Sequence, residues 1–261
     1  MTPKDLGRLF LFTILAIIVA QGLGAFLPID WLILVQELVI VLPALIMILS
    51  KGLPWTYSFR IHRVRLPVLF WGLLLSLAVV ILTDELDRLL NLFFPMPDIL
   101  KHELENLMKA KDASQAALII AGAVVMAAVS EEMLFRGLIL QTLEQFKDAA
   151  SAIVLSAIFF ALIHFNPWAA IQIAVLGFVL GYMSWKSQSI WPGVLLHAGN
   201  NLLAYLWVNL PRERWDWYCG EHHVKIQWLV LAALVLVLAL QRFNAASDHQ
   251  NGTSDSLSHH S

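Results

Sequence analysis

Two adjacent carboxylates and a guanidinium stand where a hydrocarbon-like sequence should exclude them. In "AALIIAGAVVMAAVSEEMLFRGLIL", Glu131, Glu132 and Arg136 interrupt a run that is otherwise apolar. Charge inside such a run is costly, and it is kept where it pairs, lines a pathway or does chemistry. On a helix Glu132 and Arg136 are four residues apart and share a face, so an ion pair can offset much of their desolvation. Glu131 points about 100° away from Glu132 and is the surplus charge, in need of another partner.

Two further motifs supply what a lone carboxylate lacks. Phe160 and His164 are four residues apart, as are His197 and Asn201, so each pair falls on one helical face. If the three helices converge, one cavity holds Glu131, His164, His197 and Asn201. That set contains a carboxylate to take a proton, imidazoles to bind a metal or orient water, and an amide able to donate to an oxyanion. The bland alternative is that His, Asn and ion pairs merely join membrane helices. Two carboxylates, two histidines and an asparagine on three nearby segments favour function. Glu37 stands alone in its own apolar run, and structural and functional readings of it balance.

Other polar clusters carry less. His102-Glu103-Leu104-Glu105-Asn106 begins like a zincin motif but has Asn where the second His is required. Glu221-His222-His223 reads as a solvated loop face. No Gly-x-Ser-x-Gly elbow is present. The single Cys219 leaves no internal disulfide and no cysteine zinc cluster.

The elements that must position these residues are membrane helices. Of 261 residues, 59% are hydrophobic and 14% charged, and the mean hydropathy is +0.72, above the apolar share of a soluble domain. A net charge of -2 with no basic stripe argues against nucleic acid as a partner. Runs of about 20 apolar residues predict eight spans: 6–26, 30–50, 66–83, 114–141, 149–165, 168–185, 189–209 and 226–241. The fold expected is an all-α polytopic bundle with the site between spans 4, 5 and 7. The segment 85–94, "ELDRLLNLFF", reads as an interfacial amphipathic helix. The polar tail 245–261 reads as disordered. Gly177 and Gly181 form a G-x-x-x-G whose default role is close helix packing. Lys and Arg number nine on the side of both termini and seven on the other, which places both termini in the cytoplasm. His164 falls near the outer end of its span, so "HFNPWAA" should form an irregular turn there or the span should start deeper; Pro167 supports a break.

Taken together, Glu131-Glu132-x-x-x-Arg136, Phe160-x-x-x-His164 and His197-x-x-x-Asn201 resemble the signature of the CPBP family, intramembrane proteases related to type II CAAX prenyl endopeptidases and linked in bacteria to bacteriocin processing and immunity. The resemblance covers about residues 115 to 208. It divides the chain into N-terminal helices and loops (1–113), a catalytic helical core (114–210), a loop and last span (211–244) and the tail (245–261). It implies an integral protein of the bacterial plasma membrane that hydrolyses a membrane-associated protein or peptide. Glu131 and His164 would activate water, His197 and Asn201 would stabilise the oxyanion, and Glu132, Arg136 and Phe160 would support the site. Two mechanisms stay open. In one, Glu131 is a general base without metal; in the other, His164, His197 and Glu131 resemble the His₂Glu set of a catalytic divalent ion such as zinc. The competing function is a non-catalytic membrane binding or bacteriocin-immunity protein.

Overall fold

The computed structural model describes residues 1–23, 26 and 29–258. Among them are ten principal helices and no sheet, apart from one isolated antiparallel bridge between Cys219 and Val224. The helices are α1 (Pro3–Leu23), α2 (Ile29–Ser50), the single turn α3 (Trp55–Ser58), α4 (Leu66–Phe93), α5 (Asp98–Met108), α6 (Ala113–Leu143), α7 (Ala149–Ile163), α8 (Ala170–Ser187), α9 (Trp191–Asn209) and α10 (Ile226–Ser258). The protein is an all-α polytopic bundle, as its apolar runs require.

Five of these helices, over Pro3–Gly22, Trp31–Ser50, Leu66–Phe93, Ala113–Leu143 and Ile226–Gly252, are long and apolar enough to cross a membrane. The other three runs expected to span, 149–165, 168–185 and 189–209, form α7, α8 and α9. The first is short at 15 residues, and α9 carries His197, Asn200 and Asn201. Of these, α7 and α9 bring histidines to the site; packed against α6, α4 and one another, the three need not present an unbroken apolar face to lipid.

Two segments depart from their sequence reading. Residues 85–94 do not form a separate interfacial helix but continue α4 to Phe93. Asp84 accepts from Arg88 at 3.2 Å and from the Tyr218 hydroxyl at 2.8 Å, while Glu85 receives the Val224 N–H at 2.7 Å. Charges that read as an interfacial face instead anchor the helix end to the loop before α10. The amphipathic helix is α5, which follows Pro95 and Pro97 and buries none of its side chains. From residue 245 to Ser258 the chain is helical, where the sequence reading expected disorder; the rest of that tail, 259–261, lies outside the described residues. Tyr182 donates to Asn244 at 2.6 Å, Lys186 to Asp248 at 2.6 Å, and Asn251 to the Lys186 carbonyl at 3.2 Å, so polar residues there line the end of α8.

Helix α6 occupies the middle of the bundle and touches α2, α7, α8 and α9. Asp112 caps it by accepting from Gln115 N at 2.8 Å. Two seven-residue π segments, Ile120–Met126 and Met133–Ile139, bracket an ordinary α stretch, Ala127–Glu132. Such widened turns recur at functional sites. Each contains a glycine against which another segment closes. A Cβ on Gly122 would meet Ile33 at 2.8 Å, and one on Gly137 would lie 2.6 Å from the Phe59 backbone. The bracketed stretch carries Ser130, Glu131 and Glu132.

Candidate active site

The ion pair read from the i, i+4 spacing is present and wholly buried. Arg136 Nη1 donates to Glu132 Oε1 at 2.8 Å, with both side chains at zero exposure. Arg136 Nη2 donates to the Gly177 carbonyl on α8 at 3.1 Å, and its guanidinium carbon lies 4.2 Å from the Phe160 ring centroid. The desolvation of this pair is thus met in part by hydrogen bonds and a ring face on three helices, while Glu132 Oε2 and Arg136 Nε are buried without a hydrogen-bond partner. Gly177 serves twice: its carbonyl takes the guanidinium, and its missing side chain leaves room for Phe160 and Ala157. Gly181 packs against Ile153 in the same way, so the G-x-x-x-G is the close contact of α8 with α7.

Phe160 is the platform of the site. Its ring meets His164 edge-on at a centroid separation of 4.8 Å, His197 at 5.6 Å and Phe135 at 5.2 Å. One buried aromatic therefore touches the guanidinium and both imidazoles, which gives Phe160-x-x-x-His164 a packing reason.

The histidines are held in defined tautomers. His164 follows the last residue of α7, where Phe165 turns left-handed at φ 48° ahead of Pro167. This is the irregular turn the sequence called for. His164 Nδ1 lies 2.7 Å from the Phe160 carbonyl, which only accepts, so Nδ1 carries the proton. His197 Nδ1 lies 3.2 Å from Glu132 Oε1, and a carboxylate oxygen again only accepts. Both Nε2 lone pairs are left pointing at one atom. Glu131 Oε2 is 3.9 Å from His164 Nε2 and 3.9 Å from His197 Nε2. That oxygen is buried without a hydrogen-bond partner in the protein. His197 is 3% exposed and Glu131 7%, while the His164 side chain, at 29%, is the one open to the outside.

Glu131 Oε2 and the two Nε2 atoms are acceptors, and the separations leave room for a donor between the carboxylate and either imidazole. At 3.9 Å the separations match a water molecule making two ordinary hydrogen bonds of about 2.8 Å. A tetrahedral zinc with bonds of about 2.0–2.1 Å needs its ligands about 3.4 Å apart. As placed, each imidazole nitrogen would have to come about half an ångström nearer Glu131 Oε2 to share that ion with it.

Asn201 is set differently from the expectation. Its Nδ2 donates to the Ala123 carbonyl, in the first π segment, at 2.8 Å, and its Oδ1 lies 3.4 Å from Asn200 Nδ2. One of its two amide protons is therefore committed to α6. Two residues that sequence reasoning did not connect to the site also belong to it. Gly193 on α9 stands where a Cβ would come within 2.9 Å of Glu132 Oε2. Glu37 Oε2 of α2 lies 3.1 Å from Ser130 Oγ. The first of these carries no sequence signal; the second carries one, a carboxylate inside a span.

Beside the site, a cavity of about 720 Å³ opens between α4, α5, α8 and α9. Its wall includes Asn166, two residues after His164, and Asn200, three after His197. Elsewhere, His223 Nδ1 pairs with Glu85 at 2.8 Å while about half exposed, and His102 lies on exposed α5.

The fold and the site define a polytopic helical membrane protein with a carboxylate–imidazole centre buried between its helices. Residues 113–203, about a third of the chain, match the family model described as type II CAAX prenyl endopeptidase Rce1-like, which supports membership of the CAAX/CPBP family. The match supports a function of the CAAX endopeptidase kind. No curated protein and no solved structure gives a significant match to the chain.

Proposed function

We propose that the protein is an intramembrane endopeptidase that hydrolyses a peptide bond of a membrane-associated protein or peptide. The observation that carries this reading is the convergence of His164 Nε2 and His197 Nε2 on the unpartnered Glu131 Oε2, at 3.9 Å each. A water held there gives one proton to Glu131, and its oxygen attacks the substrate carbonyl carbon as the carbonyl π electrons move to oxygen. The second water hydrogen faces His164. The oxyanion lies toward the second amide proton of Asn201, which donates to it, while His197 Nε2, an acceptor in this tautomer, lies beside the attacking water. Collapse breaks the C–N bond. The proton taken by Glu131 passes to the leaving nitrogen, leaving a carboxylic acid and an amine, and Glu131 returns to its ionised state. Glu132 and Arg136 hold His197 in the tautomer this sequence needs.

The residues act without a resident ion in this reading, which rests on the spacing of the three atoms. The cavity beside His164 supports entry of a polypeptide from the membrane surface on the side away from the termini. The Lys and Arg distribution supports a cytoplasmic position for both termini in a bacterial plasma membrane.

The test is cleavage of membrane-anchored reporter peptides by the purified full-length protein in liposomes. Glu131→Gln and His164→Ala should each abolish cleavage while the protein remains monodisperse. Proteolysis that persists in both variants rejects this catalytic assignment, whereas a wild-type protein that cleaves no reporter, with binding or protection that survives Glu131→Gln, favours a binding or immunity function, which needs no general base. Full activity after exhaustive chelation, with metal content verified as negligible, supports the metal-free mechanism; activity that disappears and returns with zinc overturns it.

A further inference from the structure

The geometry points to Glu37 as a protonated carboxyl that positions Glu131 through Ser130. It is a component of the site supplied by the N-terminal half of the chain, outside the residues that the family model matches. Its role in catalysis rests on the peptidase reading above; its protonation does not.

Glu37 lies in the interior on α2 and is 8% exposed. Ser130, beside Glu131 and itself 8% exposed, has three neighbours within hydrogen-bond reach of its hydroxyl: the Met126 carbonyl at 2.8 Å, Glu37 Oε2 at 3.1 Å and the Ala127 carbonyl at 3.4 Å. A hydroxyl has one proton and two lone pairs, and carbonyls only accept. The shortest contact, the back-bond of a helical serine to the carbonyl four residues earlier, takes that proton. The Glu37 contact is then a hydrogen bond only if the carboxyl brings the proton and donates to Ser130 Oγ.

Charge leads to the same state. Helix α2 packs on α1, α3 and α6. Of the ionisable groups on these elements, Lys4, Asp5 and Arg8 of α1 belong to the level of Lys51, which pairs with Asp5. Fourteen residues of helix separate Lys51 from Glu37, about 21 Å. Helix α3 offers only Tyr57. On α6, Arg136 is committed to Glu132 and to the Gly177 carbonyl. Glu131 is the group that interacts electrostatically with Glu37, and beyond it stand His164 and His197. Two ionised carboxylates in this interior would repel, and among the described residues of these elements no uncommitted cation offsets them, so one of the two is neutral. Glu131, 3.9 Å from each imidazole Nε2, is the one that must be ionised to act as base in the peptidase reading. With Glu37 neutral, the cluster beside Ser130 carries one negative charge before the reaction, and one after Glu131 has passed its charge to the oxyanion. The negative charge moves without being doubled.

The experiment is infrared difference spectroscopy of the purified full-length protein, wild type against Glu37→Gln, combined with reporter cleavage. The carboxylic C=O stretching band of Glu37 should be present in the wild type and missing in the variant. Glutamine keeps a donor toward Ser130 Oγ without charge, so Glu37→Gln should retain kcat to within a factor of about three, whereas Glu37→Leu should lower kcat about tenfold at unchanged KM, roughly the effect of one lost neutral hydrogen bond. Spectra without a lost carboxylic band overturn the proposal, as does a folded Glu37→Gln protein that has lost activity. Should Glu37→Gln not fold, Ser130→Ala reads the same bond: the carboxylic band should move to higher frequency once its acceptor is gone, and an unmoved band overturns the assignment. A band that vanishes in Glu37→Gln, in a protein that cleaves no reporter, rejects the peptidase and leaves the protonation of Glu37 standing.

Discussion

His197 Nδ1 lies 3.2 Å from Glu132 Oε1, the same oxygen that accepts from Arg136 Nη1 at 2.8 Å. One buried carboxylate oxygen therefore neutralises a guanidinium and orients a histidine. Charge compensation and tautomer selection rest on the same atom, and this explains why a structural pair sits one residue from the reactive carboxylate.

Removing one member of that pair leaves the other buried and uncompensated, which costs about 3–5 kcal/mol. Glu132→Leu should lower unfolding stability by that order, about 3–5 kcal/mol, and should also release His197 from its tautomer. The double variant Glu132→Leu/Arg136→Met should recover much of the stability but not the cleavage, because His197 remains without its acceptor. Thermal unfolding in detergent of both variants, beside reporter cleavage, checks this; a double variant as unstable as the single one contradicts it.

Glu131 should behave in the opposite way. Its Oε2 has no hydrogen-bond partner in the protein, so Glu131→Gln removes a buried charge without breaking a bond. Stability should be unchanged or higher, while cleavage falls by the 10²–10⁴-fold typical of a lost general base. A melting temperature measured alongside single-turnover cleavage separates this pattern from a folding defect: loss of both together would remove Glu131 from the role of base.

How much of this was legible in the sequence follows from the range of each interaction. The Glu132–Arg136 pair is local, set by four residues of helix, and its spacing alone predicts it. The family motifs name His164 and His197, and the structure brings both to Glu131. Asn201 was legible by position but not by direction, because its amide turns to a carbonyl 78 residues away, in a π segment that no composition announces. Glu37 was visible as an anomaly but not interpretable, since its partner Ser130 is 93 residues away. The errors in the fold have one physical origin. Charged residues at 84–94 and polar ones past 244 were judged by composition as if they faced water, whereas Tyr218, Val224 and Lys186 meet them from distant segments.

Gly193 offers a test of how tightly the centre is packed. A Cβ there would approach Glu132 Oε2 to 2.9 Å, and Glu132 is fully buried between Arg136 and His197. Gly193→Ala should push the carboxylate off one of its two partners. Overpacking of this kind costs about 1–3 kcal/mol, and activity should fall further than stability because His197 loses its orientation. Gly199→Ala is the control on the same helix, where an added Cβ meets nothing within 4 Å. Equal effects at the two glycines would show that helix propensity, rather than contact with Glu132, governs the response.

The loop that ties the cytoplasm-assigned end together should respond to pH through His62. Burial, and then the neighbouring Arg60 guanidinium, hold the His62 imidazole below its ordinary value of 6.5. The loop is packed: the His62 carbonyl accepts from Ser189 Oγ at 2.9 Å, and Arg60 is buried against Glu144. Because the folded value is the lower one, the unfolded chain binds more protons as pH drops from 6.5 toward the folded value. The stability associated with neutral His62 is therefore complete above 6.5 and is lost as pH falls through that window. Melting temperatures taken in steps from neutral to mildly acidic pH should decline more for the wild type than for His62→Gln, which has no proton to gain. Parallel declines in the two proteins would assign the acid sensitivity to other groups.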